Sequence, residues 1–138
     1  MGDNIYIKWK SVYSLGIPII DDQHQKWIKI FNSFHDAQQK GEGQLFIEDT
    51  LKEFMDYTKY HFSEEEYLFG KSEYPKAEEH IQEHKNFIRK LTLLQHDFKK
   101  NNLLLSIKTI DALKDWLIDH ILGTDREFGE YAKNNKIF

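Results

Sequence analysis

Apolar residues that recur at steps of three and four are the feature that most constrains the fold of this chain. Each of four segments carries one such stripe, and the stripes are separated by turns rich in glycine, asparagine or proline. A period near 3.6 residues places such a stripe on one face of an α-helix. The pattern therefore predicts four amphipathic helices, at residues 19–39, 45–69, 76–99 and 103–122.

The connections between these helices are short, which favours an antiparallel up-down-up-down four-helix bundle. Pro18 suits the start of the first helix, because proline is tolerated in the first helical turn. Residues 1–18 lack a helical period and are expected to form an extended arm over the bundle, and residues 125–133 a short C-terminal helix. The whole chain, 1–138, is predicted to be a single all-α domain.

Composition excludes several kinds of function. The chain has no cysteine, so any metal must be held by nitrogen and oxygen atoms. Its net charge of -4 gives no electrostatic reason to expect a nucleic-acid partner. No segment approaches the roughly 18 consecutive apolar residues of a membrane span, and the first residues lack the pattern of a secretory signal. We therefore expect a cytoplasmic protein with no membrane insertion and no nucleic-acid partner.

Polar residues interrupt the apolar stripes at positions that belong to the core. Five of the seven histidines and one glutamate do so, namely His24, His61, Glu65, His80, His84 and His120. The alternating direction of the helices puts all of them near one end of the bundle. A single such histidine is more often a buried ring hydrogen-bonded to a neighbour, but this many would leave groups unmatched at about 1–3 kcal/mol each. A shared metal site satisfies them together, and the spacing of four between His80 and His84 suits chelation.

Asp125 follows His120 at a spacing of five, which turns about 140° around an ideal helix and leaves the common face. Gly123 and Thr124 lie between them, so we expect the helix to end, tighten or bulge there and return the carboxylate toward the bundle axis. The alternative is that Asp125 caps the short C-terminal helix. The sequence leaves both interpretations open.

The order and spacing of these residues form one pattern: His24, His61-x-x-x-Glu65, His80-x-x-x-His84 and His120-Ile121-x-x-x-Asp125. This pattern resembles that of the hemerythrin family, most closely its single-domain bacterial members. The likeness extends to the lead-in, Gly16-Ile17 with Asp21-Asp22-Gln23, and to the Tyr74-Pro75 turn. It spans nearly the whole chain.

The resemblance implies a non-haem di-iron centre that binds dioxygen reversibly. His80, His84 and His120 would ligate one iron ion, and His24 and His61 the other. Glu65 and Asp125 would each bridge the pair, together with an oxo or hydroxo group. This set leaves one coordination position open, on the iron ion bearing His24 and His61, where dioxygen would bind.

An apolar oxygen pocket is also implied, since excluding water and anions slows the loss of bound oxygen. Its candidates by position are Trp27, Phe62, Trp116, Leu117 and Ile121. Each is equally compatible with ordinary bundle core. Trp27 departs from the family pattern, which more usually has a smaller aliphatic residue at this place, and a large indole there is expected to narrow the pocket.

The function that the resemblance implies is oxygen carriage, storage or delivery, with an unidentified oxygen-consuming enzyme as a candidate recipient. The alternatives are a di-iron redox enzyme, such as a peroxidase, an oxidase or a nitric-oxide-consuming protein, and an oxygen sensor. Ferritin-like di-iron enzymes use a carboxylate-rich ligand set. Five histidines with two carboxylates favour an oxygen-binding protein over an enzyme.

Overall fold

The structure is a computed structural model that describes residues 6–41, 44–101 and 107–137. Within these ranges the α-helices are α1 (Pro18–Gln39), α2 (Gln44–Ser72), α3 (Ala77–Asn101), α4 (Ile107–Asp119) and α5 (Arg126–Asn134). A π-helical segment, His120–Asp125, joins α4 to α5. Helices α1 to α4 form the bundle, which confirms the predicted all-α fold class. The expected start of the fourth helix, residues 103–106, lies outside the described residues, as do residues 1–5 of the arm.

Local sequence explains where the helices begin and end. Pro18 occupies the first turn of α1, and Gly41, with a φ of 63°, follows its last turn. α2 runs through Gly70 to Ser72 rather than ending at residue 69, and it stops where Glu73 adopts a φ of 54°. There the Tyr74 N–H donates to the carbonyl of Phe69 at 3.0 Å, which closes the helix end and starts the turn into α3.

The arm before α1 is tied to the bundle by polar contacts. The Ile7 N–H donates to the side-chain oxygen of Asn32, and the Asn32 amide donates back to the Ile7 carbonyl, both at 2.8 Å. Tyr6 stacks on His35 with ring centroids 3.6 Å apart. A short 3₁₀ turn, Ser11–Tyr13, interrupts the otherwise extended arm. These contacts place the arm along α1 and so cover one side of the bundle.

The interior has two apolar clusters. The larger one fills the bundle and includes Trp27, Phe31, Phe54 and Phe87. The smaller one packs α5 against the turn between α2 and α3, with Phe128 at its centre. The helices that carry these apolar clusters also carry a layer of buried histidine and carboxylate side chains. Across the part of the chain that the structure describes, no helix has the length and apolar character needed to cross a membrane.

Candidate metal centre

Side chains from α1, α2, α3 and the π-helical segment meet in one buried polar cluster. They fall into two groups whose ligand-type atoms lie within 4.8 Å of one another. The three-histidine group is Glu65, His80, His84, His120 and Asp125, and the two-histidine group is His24, His61, Glu65 and Asp125. Every member is at most 3% exposed. The structure thus brings together all seven residues that the sequence pattern singles out, and the two groups share both carboxylates.

Helical spacing explains most of this convergence. His61 and Glu65 lie one turn apart on α2, and His80 and His84 one turn apart on α3, so each pair points inward from one helix face. His24 reaches the cluster from α1. The two remaining histidines lie elsewhere: His35 stacks on Tyr6, and His96 lines a groove on the surface between α2 and α3.

Asp125 joins the cluster because the chain is π-helical from His120 to Asp125. A π-helix has hydrogen bonds between residues five apart, so a spacing of five returns a side chain to nearly the same face. The bulge is therefore the interpretation that the structure supports. Asp125 makes no side-chain capping hydrogen bond to α5, so the alternative role as a helix cap is not observed.

The two carboxylates divide their oxygen atoms between the two groups. Glu65 Oε1 lies 3.1 Å from His84 Nε2, and Asp125 Oδ1 lies 2.9 Å from His80 Nε2 and 3.0 Å from His120 Nε2. On the other side, Asp125 Oδ2 lies 3.0 Å from His24 Nε2. Glu65 Oε2 lies 3.6 Å from His61 Nε2. Each carboxylate therefore offers one oxygen to the three-histidine group and the other to the two-histidine group.

Most of the inward-facing atoms of the cluster lack hydrogen-bond partners; the exceptions are His80 Nε2 and His120 Nε2, which lie 3.1 Å apart. Both oxygens of Glu65, both oxygens of Asp125 and the Nε2 atoms of His24, His61 and His84 are buried without one in the described chain. Leaving so many polar atoms unmatched in a protein interior is costly. Imidazole nitrogens and carboxylate oxygens are ligand types that suit iron and other first-row transition metals. The cluster thus fits a pair of metal ions, one in each group.

Three of the histidines are anchored from behind through Nδ1. His84 Nδ1 donates to Glu66 Oε2 at 2.9 Å, His120 Nδ1 donates to Glu83 Oε1 at 2.9 Å, and His61 Nδ1 donates to Gln23 Oε1 at 2.7 Å. A proton on Nδ1 leaves the Nε2 lone pair facing inward, which is the state that binds a metal. Sequence analysis did not assign these three partners. Each of the three bonds to a histidine of a different helical element, so helical spacing gave no signal for them.

Charge in the cluster favours cations. Burial acts to raise the pKa values of Glu65 and Asp125, but the surrounding imidazoles outweigh burial and hold both pKa values well below their ordinary range. Burial also acts to lower the pKa of His24, yet the nearby carboxylates raise it to about 9. Burial lowers the pKa of His61 to about 4. The two buried carboxylates are therefore ionised at neutral pH, and a metal ion that binds His24 must displace a proton from its imidazole.

Three of the five candidate pocket residues lie against the histidines of the cluster, on different sides. Trp27 contacts the two-histidine group, with its ring centroid 5.0 Å from that of His61. Phe62 stacks on His84 at 3.7 Å, and Trp116 stacks on His120 at 4.5 Å, so both lie against the three-histidine group. Phe62 also lies 6.0 Å from His61. The other two candidates, Leu117 and Ile121, are fully buried in the larger apolar cluster.

Comparisons with known proteins point to one family. A model of the hemerythrin HHE cation binding domain matches residues 15–132. The chain is 30% identical to a bacteriohemerythrin of Stenotrophomonas maltophilia over 91% of this chain and 80% of that protein, and 31% identical to myohemerythrin-1 of Phascolopsis gouldii over 87% and 89%. The crystal structure of a wild-type hemerythrin superposes with a TM-score of 0.84 at 26% identity, covering 91% of this chain and 96% of that one. The resemblance in the sequence pattern is thereby confirmed, and the chain belongs to the hemerythrin family.

Proposed function

We propose that this protein binds dioxygen reversibly at a non-haem di-iron centre, for oxygen carriage, storage or delivery. The observation that carries the proposal is the division of the Glu65 and Asp125 oxygens between two groups of imidazoles. That division is what two metal ions joined by carboxylate bridges require. Membership of the hemerythrin family supports iron as the metal.

The proposed ligands follow from the two groups. His80, His84 and His120 hold one iron ion, and His24 and His61 hold the other. Glu65 and Asp125 bridge the pair, and the oxo or hydroxo bridge implied by the family belongs to the same proposal. The two-histidine ion has fewer protein ligands, so the open position lies on its side of the cluster.

The chain prepares this site in two ways. Gln23, Glu66 and Glu83 hold protons on the outer nitrogens of their histidines, so the inner nitrogens stay free to bind metal. Buried aromatic rings of Trp27 and Phe62 exclude water from the inner face. Two ferrous ions held there supply the two electrons that reversible dioxygen binding requires.

Trp27 limits the space beside the proposed open position. It is fully buried, it contacts the rings of both His24 and His61, and its indole N–H donates to Thr58 Oγ1 at 2.8 Å. This hydrogen bond fixes the ring plane. A small diatomic ligand is therefore favoured over larger anions, which supports dioxygen as the ligand and disfavours an enzyme that admits organic substrates.

The test is an optical spectrum of the iron-loaded, anaerobically reduced protein before air, after air and after oxygen removal. We expect a visible absorption band that appears with air and vanishes when oxygen is removed, through repeated cycles. Multiple turnover with a reducing substrate, or irreversible bleaching with release of peroxide, contradicts the proposal and favours a redox enzyme.

Two glutamate-to-alanine variants distinguish the loss of a proposed bridging ligand from the loss of a surface carboxylate. Glu65→Ala is expected to abolish the two-iron spectrum, because it removes one bridging carboxylate. Glu64→Ala, at the exposed position next to it, is expected to keep the spectrum. A Glu65→Ala protein with two iron ions and an unchanged spectrum contradicts the bridging assignment.

A further inference from the structure

The hydrogen bonds behind the histidines differ between the two groups. In the three-histidine group, His84 and His120 each donate to a carboxylate, Glu66 and Glu83 respectively. In the two-histidine group, His61 donates to the neutral side-chain amide of Gln23. Within the described chain, the outer nitrogens of His24 and of His80, which belongs to the three-histidine group, have no partner. All the negative charge behind the ligands therefore lies on one side of the cluster.

A carboxylate that accepts from Nδ1 changes an imidazole more than an amide in the same place does. Both fix the tautomer, because both accept the proton on Nδ1. The carboxylate in addition draws that proton away and places a negative charge near the ring, which makes Nε2 a stronger electron donor to a metal ion. The same arrangement of atoms thus predicts stronger binding on the side with charged partners.

Glu83 is itself held in place by the π-helical segment. The hydroxyl of Thr124 lies 2.9 Å from Glu83 Oε1 and 3.1 Å from Oε2, so it donates to this carboxylate. Glu83 also accepts from His120, which begins the same segment. This fixed geometry matters because the Glu83 side chain is 44% exposed, and water would otherwise compete for it. The Glu66 side chain is 33% exposed, and within the described chain its carboxylate accepts from His84 and not from a second side chain.

We propose that Glu66 and Glu83 are positioning residues that make the three-histidine group the tighter of the two metal positions. The two ions then load in a fixed order, first into the three-histidine group and second into the two-histidine group, and they leave in the reverse order. This inference rests on the two-metal centre of the proposed function. It does not rest on dioxygen binding.

A simpler cause predicts the same order: three imidazoles bind more tightly than two. The two explanations differ in what the outer carboxylates do. If ligand number alone sets the order, neutralising Glu83 leaves the first binding step unchanged. If the carboxylate contributes, the first step weakens and the second changes less.

The experiment is an anaerobic titration of the metal-free full-length chain with Co²⁺, followed by calorimetry and visible absorption. We expect two resolved binding steps in the wild-type protein. Glu83→Gln and Glu66→Gln are each expected to weaken the first step by about 10- to 100-fold, the usual effect of losing a partner behind a metal-binding histidine. Gln23→Glu is expected to strengthen the second step and bring the two steps closer together.

Glu64→Gln is the matched control. It removes the same charge from α2, one residue from a ligand, but its side chain is exposed. We expect it to leave both steps within about twofold of wild type. Thr124→Val is a second, milder route to the same result, because it keeps the Glu83 carboxylate and removes only the hydroxyl that anchors it. It is expected to weaken the first step in the same direction, by less than Glu83→Gln does.

The possible results separate this inference from the proposed function. Two steps in wild type with no change in Glu83→Gln and Glu66→Gln overturn the inference and leave the two-metal centre standing. Fewer than two bound ions in wild type overturn both. Weakening of the first step in these variants supports the inference even if the optical test shows no reversible dioxygen binding, a result that overturns the proposed function alone.

Discussion

Two layers of this bundle are equally buried but differ in how they are stabilised. Around Phe54 the interior is aromatic, and Trp27, Phe31 and Phe87 lie within 6.5 Å of its ring centroid. In the neighbouring layer the side chains are imidazoles and carboxylates, also nearly inaccessible to water. Burial of the aromatic layer stabilises the fold directly, by about 25 cal/mol for each Å² of apolar surface. Burial of the polar layer has the opposite effect until its charges and lone pairs are matched.

The comparison teaches that the aromatic layer stabilises the bundle without metal, whereas the polar layer depends on metal to match its charges and lone pairs. Trp27 belongs to both, because its ring lies near Phe54 on one side and His61 on the other. Substitutions in the aromatic layer should act whether or not metal is present. Substitutions in the polar layer should act mainly through metal binding.

The largest effect is expected from Phe54→Ala in the aromatic layer. Removing a fully buried ring should lower the free energy of unfolding by about 3–5 kcal/mol. The loss should be the same with metal and with chelator, because within the described chain the aromatic contacts of Phe54 are with Trp27, Phe31 and Phe87, none of which is a proposed ligand. Urea unfolding under both conditions measures it. A loss that appears only in the metal-loaded protein would contradict the claim that the aromatic layer stabilises the fold independently of metal.

Leu117→Ala tests a candidate pocket residue in the larger apolar cluster. Leu117 is fully buried, and its truncation should cost about 2–5 kcal/mol in unfolding free energy. We also expect it to open the oxygen pocket and speed irreversible bleaching of the oxygenated protein in air. Leu93→Ala is the control, because Leu93 is 59% exposed and its truncation should have little effect on either measurement. An unchanged bleaching rate in Leu117→Ala would remove this residue from the pocket.

Metal itself should stabilise only through the polar layer. At a hundredfold excess of free metal over the dissociation constant, binding should add about 2.7 kcal/mol to the unfolding free energy. Thermal unfolding of the wild-type protein with Fe²⁺ under anaerobic conditions and with chelator measures the difference. In Glu65→Ala the difference should nearly vanish, because a shared ligand is missing. A full difference in that variant would show that the stabilising metal binds elsewhere.

Thr58→Val should have the smallest effect of this series. It leaves the buried indole N–H of Trp27 without its acceptor, which should cost about 1–3 kcal/mol in unfolding free energy. Thr92→Val is a matched control. The hydroxyls of Thr58 and Thr92 each donate to the carbonyl four residues earlier, but Thr92 is exposed. Equal losses in the two variants would mean that the Trp27 hydrogen bond contributes nothing of its own.

Helical period predicted the bundle and the positions of the residues that interrupt its stripes, because each depends on spacing within a single helix. The same period placed His80 beside His84, and alternating helix direction brought His24 and His120 to the same end. Contacts across helices were harder to predict. Glu83 bonds to His120 of another helix, and the rotation of one helix relative to its neighbour cannot be derived from either sequence stripe alone.

The pocket shows the same limit. Trp27 and Trp116 both lie close to predicted ligands, but against different groups of histidines. Position along the chain did not distinguish these sides. The pattern at Asp125 left a choice between a bulge and a cap, since both are compatible with Gly123-Thr124. The choice depends on backbone hydrogen bonds that no side-chain pattern records.

The π-helical segment sets the rotation of two sets of side chains about the helix axis: those of the proposed metal centre and those of α5. The segment itself supplies His120 and Asp125 to the proposed metal centre, and downstream of it α5 presents Phe128 to the smaller apolar cluster. Deleting one residue, such as Gly123, would rotate everything that follows by about 100° relative to α4. Asp125 would leave the proposed metal centre and Phe128 would leave its cluster in the same step. An insertion or deletion here would therefore remove a proposed metal ligand and displace α5 together.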